Sequence, residues 1–155
     1  SSAASDVYKR QVDNSGEIIS EFCQFIRPIK HPILSEFCKN LTSIKQHDVD
    51  NAKYFSEVIE EFKEWFGYKS HDYLLCSWGL YDKKQFESDC LIHGLDSTWT
   101  ENHINVKKEY GKLKNLRRAK GMKNALKMER IALEGTHHRG IDDAKNIAKI
   151  FIKYF

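Results

Sequence analysis

The segment Thr136-His137-His138-Arg139-Gly140-Ile141-Asp142-Asp143 sets two imidazoles ahead of two carboxylates. The H-x-x-x-x-D spacing therefore occurs twice, as His137 with Asp142 and as His138 with Asp143. An imidazole with an ordinary pKa of about 6.5 is suited to take a proton near neutral pH from a water polarised by a carboxylate-held metal. The plainer role for Asp142 and Asp143 is to complement the positive end of a helix dipole, with both histidines as loop residues. Asp143 stands one helical turn before Ile147, at the edge of an apolar stripe. Its side chain is expected to run along a sheet, with Asp142 the more exposed of the two. The second place is Asp82-Lys83-Lys84-Gln85. An acid at a strand-to-helix junction with Gln three positions later reads as a capping box, in which Asp82 accepts from a helix-start amide and Gln85 reaches back. The same carboxylate also stands at the carboxyl end of a strand, where open α/β sheets place their sites. A cap tolerates Ser or Asn, whereas a ligand for a divalent cation needs the charged oxygen.

Elements must hold these groups in place. Ser1 to Gln11 show no period and read as a disordered arm or non-native scar, leaving 12–155 as a single domain. Asp13-Asn14-Ser15-Gly16 is a turn, which calls for a partner strand before it, and only Val12 and the arm are available. The run Ile18 to Arg27 is a predicted strand with apolar residues on both faces, ended by Pro28 and Pro32. Ala52, Phe55, Ile59, Phe62 and Phe66 recur at helical spacing and stop at Gly67. Tyr73 to Ser77 is a short predicted strand feeding a helix from Asp82 to His93. A helical basic region broken at Gly111 and Gly121 follows. A last helix from Asp142 to Phe155 carries Ala144, Ile147, Ala148, Phe151 and Phe155 on one stripe. Strands interleaved with helices predict an α/β layered fold.

Composition narrows the function. The 155 residues are 41% hydrophobic and 30% charged, enough for a real core, with no apolar run long enough to span a membrane. Cys23, Cys38, Cys76 and Cys90 form no C-x-x-C pair and read as reduced, mostly buried thiols of an intracellular protein. The net charge of +3 is uneven: Lys107 to Arg130 hold ten Lys and Arg against two Glu, a local +8, and the rest of the chain is −5.

Four segments taken together resemble one family. They are Glu21-Phe22-Cys23-Gln24-Phe25-Ile26-Arg27-Pro28, Ser35-Glu36-Phe37-Cys38-Lys39-Asn40-Leu41-Thr42-Ser43-Ile44, Ser77-Trp78-Gly79-Leu80-Tyr81-Asp82-Lys83-Lys84-Gln85-Phe86 and Gly135 through Ala144. In this order they are similar to the DEDD exonucleases of the histidine subclass (DEDDh), which includes RNase T, the proofreading subunit of replicative DNA polymerase and the enhanced-RNAi exonucleases. The resemblance runs from Val12 to Phe155. It implies a ribonuclease-H-like fold, a mixed sheet flanked by helices, and removal of nucleotides from a 3′ end with two divalent ions, Mg2+ or Mn2+. By matching position it assigns Asp82 and Asp143 to the metals and His138, rather than His137, to the general base. The family's first motif, Asp-x-Glu at the end of an opening strand, occurs nowhere in this sequence. Asp48-Val49-Asp50 comes too late to replace it. The sequence therefore reads as an exonuclease domain whose first strands are missing, with little activity of its own.

Two functions follow, an exonuclease trimming single-stranded ends, RNA favoured, and a catalytically dead module of the same fold that binds nucleic acid or protein. The Lys107-to-Arg130 segment suits phosphates, and suits equally a solvated helical face that keeps the protein soluble.

Overall fold

A turn sets the first pairing. In the computed structural model, which describes residues 6–29, 31–135 and 140–155, the Asp13 carboxylate accepts from the amides of Ser15 and Glu17, both at 2.9 Å, and Gly16 takes φ +86°. The chain doubles back, and β1 (Asp6–Val12) pairs antiparallel with β2 (Ile18–Arg27), with an irregularity between Gln11 and Val12. From Asp6 onward this corrects the reading of Ser1 to Gln11 as an arm, because Val7 and Tyr8 are only 2% and 5% exposed. Adjacent strand residues face opposite ways, so a strand covered on both faces buries neighbours without showing a period. Val7 enters the main core, while Tyr8 meets Phe25 edge-on at 6.1 Å. Along β2, Phe22 and Ile26 are buried and Phe25 is half-buried, but Ile18 and Ile19 are exposed. Cover on both faces thus holds at the carboxyl end of β2 and not at its start.

Ser35 caps α1 (Glu36–Thr42), its Oγ accepting from the Cys38 amide at 3.1 Å; with α2 (Gln46–Asp50) this region lays Leu34, Ile44 and Val49 against Phe25. β3 (Lys53–Tyr54) then pairs parallel to β2, giving the order β1-β2-β3. α3 (Phe55–Trp65) buries Phe55, Ile59 and Phe62, as the spacing predicts, and Val58 besides, whereas Ala52 lies before β3 and outside the helix; Gly67 follows at φ +71°. The positive φ favours glycine there, and a Cβ would in addition lie 2.5 Å from the exposed His71 ring, which would have to move. Phe62 is the centre of the main core, with ring centroids 4.9 Å from Phe66, 5.4 Å from Phe22 and 5.9 Å from both Phe86 and Trp99.

The second sheet is the parallel pair β4 (Leu75–Ser77) and β5 (His103–Asn105), joined through α4 (Tyr81–Ile92) and a short 3-10 turn, Thr98–Thr100. The mixed sheet expected from the resemblance is thus present as two sheets, and among the described residues no strand bonds β1 to β4. α5 (Val106–Leu113) runs through Gly111 instead of breaking there, and the chain turns at Asn115, φ +53°, before α6 (Met122–Met128). The last helix, α7 (Gly140–Tyr154), docks through Asn146, Ala148 and Ile150, and Phe155 is exposed, contrary to the predicted stripe. A Cβ on Gly140 would meet the Tyr8 ring at 2.9 Å, so α7 and β1 approach as closely as a glycine allows. Among the described residues no helix is long and apolar enough to cross a membrane. All four cysteines are free, but only Cys90 is buried, a correction to the expectation of mostly buried thiols.

Candidate active site and basic flank

Asp82 is not a cap. Leu80 holds the N-cap position of α4, so Asp82 sits within the first turn, and Gln85 donates to Asp89 at 3.2 Å. The charge of Asp82 is met from another element: Lys9 Nζ of β1 lies 3.1 Å from its Oδ2 and 5.7 Å from the Phe86 ring centre. Asp143 stands in the first turn of α7, half-buried like Asp142, so the predicted difference in exposure between the two is absent. The Asp142 carboxylate lies where a Cβ on Gly135 would be, 2.2 Å from its Cγ. Consecutive residues of β1 reach both helix starts, Tyr8 at Gly140 and Lys9 at Asp82. His137 and His138 lie outside the described residues.

Next to Asp82, the parallel pairing of β4 and β5 brings Ser77 and His103 together. Ser77 Oγ donates to the Gly79 carbonyl at 2.9 Å and lies 2.6 Å from His103 Nε2. Burial, reinforced by the charges of Lys83 and Lys9, holds the His103 pKa below its ordinary value, so the ring favours its neutral form. This pair fixes the turn that leads into α4. Ser77 opens one of the four segments of the resemblance, His103 lies outside them all, and the pairing of two distant strands is what brings the two together.

Glu129 is a second group that spacing does not disclose. Its side chain is 4% exposed and receives Tyr110 Oη at 2.7 Å, Lys114 Nζ at 3.0 Å, Lys153 Nζ at 2.9 Å and the Tyr154 hydroxyl. Burial alone would raise its pKa, but these four donors outweigh it and hold the carboxyl well below the usual range. Burial, with the Glu129 contact added to it, pushes the Tyr110 phenol up to about 12. The sequence signal of Glu129 is its being one of only two acids among ten bases between Lys107 and Arg130.

The donors themselves decide whether a metal pair fits. Among the described residues no three His, Cys, Asp or Glu side chains converge, and the carboxylate of Asp82 already faces an ammonium. The described residues therefore do not fit a two-ion centre.

Helices flank a mixed three-stranded sheet and a parallel pair, with acids at two helix starts and a basic segment beside them, which defines an α/β layered domain. Residues 7–151 match the exonuclease family typified by RNase T, and the chain belongs to that family. It is 33% identical to the mouse (Mus musculus) protein named 3′-5′ exoribonuclease 1, over 88% of this chain and 42% of that protein. A probable 3′-5′ exonuclease of Bacillus subtilis, KapD, is 27% identical over 87% of this chain and 65% of its own length. Among solved structures, the nuclease domain of 3′hExo, a DEDDh family member bound to rAMP, superposes with TM-score 0.84 at 30% identity, covering 88% of this chain and 72% of that one. The ribonuclease-H-like fold expected from the four segments is thereby confirmed. The chain spans about two fifths of the length of the mammalian exoribonuclease 1 proteins it matches. The family generally uses divalent metal ions.

Proposed function

We propose that this protein acts on the 3′ ends of single-stranded nucleic acid, RNA ahead of DNA, as an intracellular 3′-to-5′ exonuclease domain. We further propose that the 155-residue chain binds such strands but hydrolyses them poorly. The observation that carries this reading is the family match over residues 7–151. RNA is favoured because the related nuclease domain at 30% identity is bound to rAMP. For the reaction itself the proposed groups are Asp82 and Asp143, as carboxylates for Mg2+ or Mn2+, and His138 as the general base. Poor turnover follows from the shortage of ligands: the chain has no Asp-x-Glu, and among the described residues no three donors converge.

The test is residual trimming of a 5′-labelled strand by excess protein in Mn2+. Asp143→Asn and His138→Ala are expected to reduce it to background, and His137→Ala to reduce it less. Equal loss in all three variants would overturn the assignment of His138.

A second reading, a binding module without catalysis, is favoured by the contact of Lys9 with Asp82. It is distinguished by complete absence of trimming alongside retained binding.

A further inference from the structure

Between the β4–α4 turn and α5 lies an open cleft of about 880 Å³, lined by Gly79, Leu80, Lys107, Lys108, Lys112 and Ala119. Its walls are held by Trp78, whose indole N–H donates to the Lys120 carbonyl at 3.0 Å and whose ring packs on Tyr110 at 5.7 Å. Leu80, which lines it, stands two residues before Asp82 in the chain. Of the ten bases from Lys107 to Arg130, only two have an ion pair among the described residues, Lys112 with Glu109 and Lys114 with Glu129. A solvated face of soluble protein usually mixes charges of both signs. Here Lys107 and Lys108 pair with no carboxylate among the described residues and line an open cleft together with the apolar Leu80, Leu116 and Ala119.

We infer that this cleft is the track for the sugar-phosphate backbone of a single strand whose 3′ end lies toward Asp82. The inference rests on the exonuclease reading for the direction of the strand, but not for the binding itself. Lys107, Lys108 and Lys112 neutralise successive phosphates, and Leu80, Leu116 and Ala119 offer apolar surface to the bases. Each phosphate contact releases condensed counterions, so affinity for a single strand falls with salt by about 0.7 in log–log slope per contact.

The experiment is fluorescence anisotropy of a labelled single-stranded RNA oligonucleotide, titrated at several salt concentrations in EDTA so that hydrolysis plays no part. The triple variant Lys107→Ala/Lys108→Ala/Lys112→Ala is expected to lose about a hundred-fold in affinity at about 0.1 M salt, and its salt slope to shrink by about 2. Alanine is a good helix former, so α5 survives the change. The control, Lys123→Ala/Lys127→Ala, removes two bases of the same segment that do not line the cleft, and is expected to leave most of the affinity in place. Equal loss per charge in both variants would overturn the cleft and leave only a diffuse basic surface. Binding that persists in the parent without any trimming in Mn2+ would overturn the exonuclease reading and leave the cleft standing. No binding by the parent at low salt would overturn both.

Discussion

At the scale of single residues, the decisive groups are charges met from a distant element. The contact between Lys9 and Asp82 is half-exposed, with side-chain exposures of 22% and 45%, so its removal by Lys9→Gln is expected to change stability by less than about 1 kcal/mol in chemical denaturation. Glu129 differs in being buried under four donors. Because its folded pKa is depressed, protons bind first to the unfolded chain, whose Glu titrates at about 4.5. The stability it supplies is complete above that pH and is lost as pH falls further. Glu129→Gln is therefore expected to lower the thermal midpoint clearly at pH 7, and the gap from the parent to narrow toward about pH 3. A gap independent of pH would contradict the ionised hub.

Among elements, α3 and α5 carry the strongest expectations. Phe62 is 1% exposed and touches the aromatic rings of Phe22 in β2, Phe66 at the end of α3, Phe86 in α4 and Trp99 in the 3-10 turn. Phe62→Ala removes the contact these elements share and is expected to cost about 3–5 kcal/mol of unfolding free energy. Asn105 caps α5 by accepting from the Lys108 amide at 3.2 Å. Asn105→Ala is expected to cost about 1 kcal/mol and, because Asn105 also lines the basic cleft, to weaken oligonucleotide binding modestly. Two elements are legible in the sequence: β2 follows from its β-prone apolar run ended by Pro28, α3 from helical spacing, and Gly67 from its stop position. β1 is not, since Val7 and Tyr8 give two apolar residues and no period, and their burial depends on distant elements closing over them. A break at Gly111 is the wrong expectation because a helix buried on that side accepts glycine, and the turn falls at Asn115. Asp82 and Asp143 are legible as acids at helix starts, but the ammonium against Asp82 comes from a strand 73 residues away, which no local pattern shows.

For the whole molecule, family membership and the shortage of ligands point in different directions. The fold aligns with a nuclease domain at TM-score 0.84, and the proposed phosphate track lies in a segment of ten bases against two acids. Yet this chain has no Asp-x-Glu, and its described residues gather no three donors for an ion. Binding without efficient hydrolysis is the proposal that these two observations together support. The most direct measurement pairs a mobility-shift gel with a sequencing gel, using a 5′-labelled single-stranded RNA, the 155-residue chain and Mg2+. The expected result is a retarded complex whose RNA is still full length, the same as in EDTA. A ladder of products shortened from the 3′ end, robust in Mg2+ and abolished by EDTA, would contradict it.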